Sequence, residues 1–388
     1  MTERLRIGWN LLSLRRDVLG GWQYVRGVVS AAAAHAPEAV FHALVTPESL
    51  PMIEDLPCVV TEVLHFPNGI RPLRVAVEQA MFARFVRRRD LHVAHCFAGT
   101  VPRGIQAAVA LTVYDLLVFS RPQAFPIVKR AYLRFEVPRS IGRADVLVPI
   151  SASTGNDIMT RFAIPSERVH PLPPVLTEEW RRSPDDAIEA LRARLSLPSR
   201  YWLYVANGYV HKNHVRVLEA LARIRSGGGA PWPLLLRGAG LERVFAQAAD
   251  LGLADLVYPV PPLPQVDLVT LTSGASGCVF PSLFEGVGIP VLETMACGVP
   301  LVASDIPTNR EFAVGYARLV PPDDAGALAS AMLEVQAAPP DSQDLARAAV
   351  EVLARCHPAA SAARLIRAYE AAIRHHHERS AKCQRAPT

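Results

Sequence analysis

Short apolar runs alternate along the chain with longer stretches in which apolar residues recur every three or four positions. The short runs are typical of buried strands, and the longer stretches are typical of helices with one buried face. This alternation predicts an α/β protein built on doubly wound parallel sheets. In the first half we expect strands at 5–9, 39–45, 91–96, 107–113 and 145–150, helices at 22–34, 73–89, 124–142 and 153–162, and a closing segment at 169–172.

The pattern pauses near the middle of the chain and then begins again. Three prolines, Pro171, Pro173 and Pro174, precede a charged stretch with one short helix, so a linker is expected at 175–198 between domains at 1–174 and 199–357. The remainder, 358–388, is expected to hold a final helix. In the second half we expect strands at 201–205, 232–236, 256–260, 277–280 and 301–303, with helices between and after them, and 319–322 leads into one of these helices.

Composition limits the classes of partner. The formal net charge is +5, and residues 1–175 carry 20 lysines and arginines against 14 aspartates and glutamates. A basic first half favours either a peripheral contact with an anionic membrane surface or an ordinary solvated surface. Nucleic acid is not expected as a partner, because the basic residues are not interleaved with aromatic residues in a known pattern.

The cysteines and the first residues indicate a cytoplasmic protein. Six cysteines show neither a CxxC pair nor the spacing of a metal site, which is typical of reduced, buried thiols. The chain begins without the apolar segment of a signal peptide, and no stretch is long and apolar enough to span a membrane.

The stretch from Gly277 to Asp305 carries the clearest chemistry. It reads as strand, loop, helix and strand, with Pro290 suited to the first helical turn and Gly298 to its end. A helix N-terminus that follows glycines favours a phosphate. Glu293 is placed to accept hydrogen bonds from a diol such as a ribose, and Glu285 is placed to reach further hydroxyls. A nucleotide sugar would satisfy all three features, and the alternative is an ordinary βαβ turn with two solvated glutamates.

Two cations are expected at the same edge of the second sheet. Lys212 follows the first strand of that sheet and Arg237 follows the second, so both could neutralise a diphosphate. His211 and His214 flank Lys212, but no matching acids or cysteines surround them, and we expect no bound metal.

The first half offers weaker candidates. Gly20 and Gly21 are expected in a loop before a helix, where free amides suit an anion or a sugar, although a plain turn has the same signature. Asp115 follows the strand 107–113, at the carboxyl edge where ligands gather in open α/β sheets. The alternative for Asp115 is a cap on the next turn.

These residues resemble a known family. The segment Phe280–Ser304, with Glu285 and Glu293 separated by seven residues, is similar to the Glu-x7-Glu signature of retaining glycosyltransferases of family 4. The stretches 211–214, 237–240 and 319–329 resemble the family as well, and 20–21, 114–115 and 151–153 fit it loosely. The resemblance implies the GT-B fold, in which two Rossmann-like domains face each other across a cleft, with the last helix crossing back to the first domain.

The resemblance also implies roles for individual residues. The second domain would bind a nucleotide sugar without a metal or other cofactor, and the first would bind the acceptor. Catalytic roles would fall to Glu285, Lys212 and Asp115. The expected donor site comprises Gly20, Gly21, Asn207, Gly208, Arg237, Val260, Gly286, Val287, Gly288, Ile289 and Glu293.

The chain departs from the family at two places. Asn207 and His211 occupy positions where many members carry an arginine, and Tyr114 precedes Asp115 where many members carry a histidine. Arg237 or Arg216 is therefore expected to supply the second positive charge at the diphosphate.

The expected reaction is transfer of a hexose with retained configuration to a lipid-linked oligosaccharide in bacterial polysaccharide synthesis. GDP-mannose is the expected donor, and UDP-glucose is the alternative. The chain could instead be a nucleotide-sugar epimerase of similar fold, or a sensor that binds a nucleotide sugar without turnover.

Overall fold

The computed structural model describes residues 4–15, 19–56, 58–67 and 69–385. The chain divides into two compact units, one formed by Met1–Val175 with Cys356–Thr388 and the other by Leu176–Arg355. Residues 176–198, where a linker was expected, belong to the second unit, since the helix in this segment packs inside that unit.

The first unit is built on a six-stranded parallel sheet with the strand order β3-β2-β1-β4-β5-β6. The fully buried β4, β5 and β6 carry continuous apolar runs, because helices cover both of their faces. The strands are β1 (Leu5–Asn10), β2 (Ala39–Val45), β3 (Val59–Val63), β4 (Val93–Cys96), β5 (Ala108–Val113) and β6 (Val146–Pro149).

Helices of the first unit pack on this sheet and enclose an apolar core that includes Phe82, Phe85 and Leu111. They are α1 (Leu19–His35), α2 (Arg71–Arg88), α3 (Leu117–Ser120), α4 (Ile127–Arg143), α5 (Ala152–Phe162) and, from the end of the chain, α14 (Pro358–Arg385). Ser151 caps α5 as expected, with its hydroxyl accepting a hydrogen bond from the Thr154 amide at 3.0 Å.

One strand of this unit was not predicted. β3 was missed because Thr61 and Glu62 interrupt its apolar residues, and as an edge strand it is only partly buried. Residues 169–172, which were expected to close this half, form only one bridge, between Val169 and Leu147. Pro171 lacks an amide hydrogen, and Pro173 follows soon after, so this segment cannot extend a ladder.

The second unit contains another six-stranded parallel sheet, with the order β12-β11-β10-β7-β8-β9. Five of its six strands were predicted, with ends that differ from the prediction by a few residues, and the strand at Arg318–Val320 was not predicted. They are β7 (Trp202–Val205), β8 (Leu234–Arg237), β9 (Val257–Pro259), β10 (Gly277–Phe280), β11 (Leu301–Ser304) and β12 (Arg318–Val320). The prediction of doubly wound parallel sheets is confirmed for both units.

The helices of the second unit cover both faces of this sheet. They are α6 (Asp185–Arg194), α7 (His214–Ser226), α8 (Glu242–Asp250), α9 (Gln265–Ser273), α10 (Ile289–Ala296), α11 (Pro307–Ala313), α12 (Ala325–Ala337) and α13 (Ser342–Arg355). α6 packs on α9, which places the segment expected as a linker inside this unit.

The last helix, α14, packs on α1 and β5 of the first unit. Tyr369 on this helix is buried, and its hydroxyl accepts a hydrogen bond from the Trp9 indole at 3.1 Å and lies 2.8 Å from His95 Nδ1. Burial lowers the pKa of His95 to about 3, so its ring is neutral. The other ring nitrogen lies 2.9 Å from the Thr112 hydroxyl. A buried hydrogen-bonded chain therefore joins the end of the sequence to the first sheet.

Within the described ranges, no helix combines the length and the apolar composition needed to cross a membrane.

Candidate functional site

The sheet of the second unit has a topological switch point between β7 and β10. β7 is followed along the chain by β8 and β9 on one side, and β10 then begins on its other side. The loops that leave the carboxyl ends of β7 and β10 therefore diverge and leave space between them, which is where open α/β sheets bind ligands. The loop after β7 carries Lys212, and the loop after β10 carries Glu285.

The structure brings these two side chains into direct contact. The Lys212 ammonium donates hydrogen bonds to both carboxylate oxygens of Glu285, at 2.7 Å to Oε1 and 2.9 Å to Oε2. The side chains are 19% and 14% exposed, so the pair is reached by solvent but is not a mobile surface contact. A bidentate contact with this partial burial holds both charges in one place.

Lys212 is positioned by the turn that precedes α7. Residues Val210–Lys212 form a single 3-10 turn, and Asn213 follows with a positive φ of 58°, which asparagine tolerates better than most residues. The Asn213 side-chain amide donates to the carbonyls of Pro281, at 3.0 Å, and Pro322, at 2.8 Å. The buried hydroxyl of Tyr204 donates to the Lys212 carbonyl. These hydrogen bonds fix the backbone at Lys212 and at the residue that follows it.

Glu285 is positioned by the residues around β11 and α11. The Thr308 hydroxyl donates to the Glu285 carbonyl at 2.8 Å, and the Ser304 hydroxyl donates to the Ser282 carbonyl at 2.5 Å. Asn309 in turn donates to the Ser304 carbonyl at 2.8 Å. Sequence reasoning assigned no role to these supporting residues, since nothing in their spacing shows that their hydroxyl and amide groups reach the loop after β10.

The N-terminus of α10 closes this loop. Gly288 precedes the helix with a positive φ of 69°, a conformation that favours glycine, and Pro290 lies in the first turn as predicted. Val287 is buried, Ile289 is the first helical residue, and Gly286 lies in the loop beside Glu285. The expected series of glycines leading into a helix is present.

Glu293 lies inside α10 and is almost completely buried, with 7% of its surface exposed. Burial raises the pKa of its carboxyl group from 4.5 to about 8, and no opposite charge offsets that effect. The carboxyl group is therefore protonated at neutral pH. Burying a carboxyl group is costly, so a ligand hydroxyl that hydrogen-bonds to it would be favourable.

The loops after β7 and β8 pack backbone against backbone. The Gly208 amide donates to the Ala239 carbonyl at 2.8 Å, and the Ala239 amide donates to the Asn207 side-chain oxygen at 2.9 Å. A Cβ added to Gly208 would lie 1.7 Å from the Gly240 carbonyl oxygen. Asn207 and Gly208 thus hold the loops after β7 and β8 together. This is a structural role, whereas the sequence predicted only a contact with the donor.

Arg237 ends β8 at the same edge as Lys212. Its Nε is buried and has no hydrogen-bond partner in the described part of the chain. Arg216, the alternative second cation, also has a buried Nε without a partner in the described residues, but its Nη1 donates to Glu219 at 2.6 Å, so its charge is already paired. Val260 follows β9 and is buried, and its amide donates to the Leu236 carbonyl at 2.9 Å. The geometry leaves Arg237 better suited than Arg216 to an anionic ligand.

The two histidines beside Lys212 have different surroundings. His211 stacks on Tyr209 with 5.7 Å between ring centroids, and His214 stacks on the buried Tyr204 at 4.7 Å. Burial lowers the pKa of His214 to about 4. Within the described residues, no cluster of three histidines, cysteines or acids is arranged to hold a metal ion.

The candidates of the first unit are placed differently from expectation. α1 begins at Leu19, so Gly20 and Gly21 lie in its first turn and not in a loop before Trp22. The helix therefore begins earlier in the sequence than expected, because glycine is tolerated in the first turn of a helix. Asp115 is exposed beyond the end of β5, and its carboxylate accepts a hydrogen bond from the Leu117 amide at 2.8 Å.

The side chain before Asp115, Tyr114, is half-buried, and its hydroxyl group is fully buried. The Tyr114 hydroxyl has no hydrogen-bond partner in the described residues, and burial raises the pKa of this phenol. Its ring packs edge-on against Tyr24 at 5.8 Å between centroids.

Comparison with solved structures shows the fold. The chain resembles sucrose-phosphate synthase from Thermosynechococcus elongatus with a TM-score of 0.74 and 22% identity, over 95% of this chain and 98% of that one. It resembles Anabaena HepE in complex with UDP with a TM-score of 0.71 and 14% identity, over 94% and 98% of the two chains. Two doubly wound parallel units of this kind give the chain the GT-B fold, as predicted.

The sequence comparison finds a family match within the second unit. Residues 188–352 match the model described as glycosyl transferases group 1. The chain is 28% identical over 239 residues to the O-antigen chain mannosyltransferase B of Escherichia coli, covering 60% of this chain and 62% of that protein.

A second relative with a similar description is the O-antigen chain mannosyltransferase RfbU of Salmonella typhimurium. It is 26% identical over 232 residues, covering 59% of this chain and 61% of the relative. The chain thus spans about three fifths of the length of these curated relatives.

Proposed function

We propose that this chain is a retaining glycosyltransferase of family 4 that moves mannose from GDP-mannose to a lipid-linked oligosaccharide in bacterial polysaccharide synthesis. The observation that carries the proposal is the bidentate Lys212–Glu285 pair at the switch point of the second sheet. The names of two O-antigen mannosyltransferases among the relatives support the sugar and the type of acceptor. UDP-glucose is the alternative donor, since a solved structural neighbour is a complex with that nucleotide sugar.

The ion pair has a direct role in the proposed donor binding. A diphosphate carries two negative charges close together, and it attracts the Lys212 ammonium away from the Glu285 carboxylate. Glu285 is then free to accept hydrogen bonds from the hydroxyls of the donor sugar. Donor binding thus replaces the Lys212–Glu285 contact with two contacts to the ligand, one from each side chain. Neither charge is left without a partner, so the cost of an unpaired charge is avoided.

Departure of the nucleoside diphosphate builds negative charge on the leaving oxygen. Lys212 stabilises this charge together with Arg237, whose buried Nε lacks a partner within the described residues, and with amides at the start of α10. In this chain the two side-chain cations supply the positive charge that a divalent metal would otherwise provide. Glu285 favours the positive charge that develops on the sugar, and the leaving oxygen takes the proton of the acceptor hydroxyl.

Glu293 is proposed to hold the ribose of the donor. Its side chain is almost completely buried and no charged group offsets the cost of that burial, so hydrogen bonds from the two hydroxyls of a diol stabilise it. Asp115 in the first unit is proposed to act on the acceptor side, where its exposed carboxylate follows the end of β5.

Donor identity is tested by thermal unfolding in the presence of GDP-mannose, UDP-glucose and the corresponding dTDP and ADP sugars. We expect GDP-mannose to raise the unfolding temperature most, because a ligand that binds only the folded state stabilises it. A larger shift with UDP-glucose would reassign the donor and leave the site unchanged. No shift with any nucleotide sugar would contradict the proposed site.

Transfer is tested with radiolabelled donor and a membrane extract that contains lipid-linked acceptors. Lys212→Ala and Glu285→Gln are each expected to lower kcat/KM by about 100-fold or more, since each removes a contact to developing charge. Lys382→Ala and Glu351→Gln change the same residue types at exposed positions, and their activity should match that of the unaltered chain. Unchanged turnover in both site variants would show the assignment to be wrong.

Two other functions have distinct signatures in these assays. A nucleotide-sugar epimerase would convert the donor without an acceptor, and its product would retain the nucleotide. A sensor would bind the donor in the thermal assay and show neither transfer nor hydrolysis.

A further inference from the structure

The outward face of α4 in the first unit carries several large apolar side chains that are exposed to solvent. Ile127 is 73% exposed, Val128 is 82% exposed, Phe135 is 51% exposed and Tyr132 is 38% exposed. Their spacing places them on one side of the helix, together with the exposed Ala131. Four large apolar side chains on one exposed helical face mark a site of contact with another molecule or a lipid phase.

Basic residues surround this apolar face. Residues 116–143 contain six lysines and arginines and one acid. That acid, Glu136, is buried and paired with Arg143, so its charge is already neutralised. The exposed face is flanked by Arg134 and Arg139, and five cations in this segment lie outside the Glu136–Arg143 pair. The field around the apolar side chains is therefore strongly positive.

A groove continues this face onto the neighbouring helix α2. It has a volume of about 610 Å³, and its apolar lining comprises Val75, Ala76, Ala80, Tyr132 and Phe135, while Gln79, Arg103 and Glu136 form the polar part of its wall. The apolar lining extends the contact surface beyond a single helix, and Arg103 adds another cation to it.

We propose that this surface, defined by α4 and the groove beside α2, docks the protein on an anionic phospholipid bilayer. Apolar side chains that project from a helix between arginines and lysines fit the boundary between acyl chains and anionic head groups. A second copy of the chain fits poorly, because a symmetric contact would bring the same cations face to face. The inference concerns this surface alone and holds whichever sugar the protein transfers.

The docking is peripheral. The apolar side chains belong to one face of α4, while its opposite face packs within the unit through Glu136 and Ser140. The helix therefore lies in the plane of the interface and does not cross it.

The test is co-sedimentation of the full chain with phosphatidylcholine vesicles, with and without phosphatidylglycerol. We expect binding only to the anionic vesicles, and weaker binding as the salt concentration rises. Ile127→Ser combined with Val128→Ser should weaken binding at least about tenfold, because two exposed aliphatic side chains no longer enter the lipid. Arg134→Gln combined with Arg139→Gln should weaken it by roughly 25-fold, at about 1 kcal/mol for each arginine.

The control variants change exposed residues of the second unit that match the altered residues in type and number. Val266 and Val350 are 70% and 69% exposed, so changing both to serine removes two exposed aliphatic side chains elsewhere. Arg223→Gln combined with Arg243→Gln removes two exposed cations outside the proposed surface. These controls should bind vesicles like the unaltered chain, and circular dichroism should show that every variant is folded.

Three results would overturn the proposal. Binding that is unchanged in both surface variants would exclude this face, and equal binding to neutral vesicles would exclude the role of its cations. Sedimentation velocity provides the third result: a dimer that Ile127→Ser with Val128→Ser dissociates would assign the face to a second copy of the chain.

Discussion

The carboxyl group of Glu293 shows how strongly surroundings change one residue. Its sequence position in α10 predicts an ordinary acid, but burial raises its pKa from 4.5 to about 8. Between these values the folded protein holds a proton that the unfolded chain has released. Stability therefore falls as the pH rises from about 4.5 through 8, because ionisation in the folded state requires burying a charge.

We expect Glu293→Gln to flatten this pH dependence. The full shift corresponds to a loss on the order of 5 kcal/mol once the pH exceeds the raised pKa. Urea unfolding at a series of pH values should therefore show the unaltered chain losing stability as the pH rises from about 4.5 to about 8, while the glutamine variant changes less. Parallel pH profiles for the two proteins would mean that the carboxyl group is not buried as the structure shows.

The contact between Lys212 and Glu285 can be measured independently of catalysis. We expect Lys212→Met and Glu285→Gln each to lower the free energy of unfolding, because each leaves a partly buried charge without its partner. The double variant should lose less than the sum of the two, with a coupling energy of about 1–2 kcal/mol in urea unfolding. Strict additivity would show that the two groups do not interact in solution.

At the scale of elements, glycines of similar appearance in the sequence have different roles. Gly208 lies where the loops after β7 and β8 meet, and an added Cβ would lie 1.7 Å from a carbonyl oxygen. Gly20 lies in the first turn of α1, and an added Cβ would meet nothing within 4 Å. Both were predicted to contact the donor, and only the tertiary structure shows that their surroundings differ.

Alanine substitutions should have opposite effects at these positions. Gly208→Ala is expected to lower the free energy of unfolding by about 2–3 kcal/mol, because two loops must move apart. Gly20→Ala is expected to raise it by about 0.5 kcal/mol, because alanine favours a helix over glycine. Thermal and urea unfolding of both variants provides the measurement. A stabilising Gly208→Ala would contradict the close approach of the two loops.

Predicting strands from the sequence succeeded where apolar residues follow one another without interruption. Five of the six strands of the second sheet were identified in this way, including β9, an edge strand that is only partly buried. β3 was missed because Thr61 and Glu62 interrupt its apolar residues, and 169–172, with apolar residues between prolines, forms a single bridge. Whether such a segment joins a sheet depends on hydrogen-bond donors and neighbours, which a local pattern does not contain.

At the scale of the whole molecule, α14 returns from the end of the sequence to the first unit. His376 and Arg379 of this helix approach the buried carboxylate of Asp145, at 3.4 Å and 3.0 Å. Tyr369 joins the same helix to Trp9 and His95. These contacts bring together residues separated by more than two hundred positions in the sequence.

We expect Tyr369→Phe to destabilise the first unit by about 1–3 kcal/mol, because it leaves the Trp9 indole and His95 Nδ1 without their shared buried partner. Hydrogen exchange read by mass spectrometry should show lower protection in α14, β4 and β5. Tyr258→Phe, which alters an exposed tyrosine of the second unit, serves as the matched control. Equal loss of protection in both units would contradict this assignment of α14.

The sequence by itself determined the α/β class, the doubly wound parallel sheets and the two acids that flank the glycines before α10. These features follow from local periodicity and from residues close together in the chain. Only the tertiary structure decided that Lys212 pairs with Glu285, that Glu293 is protonated at neutral pH and that Thr308 and Asn213 hold the two loops. The reason is physical: strand order sets which loops meet, and burial sets the charge of a carboxyl group, and both depend on residues distant in sequence.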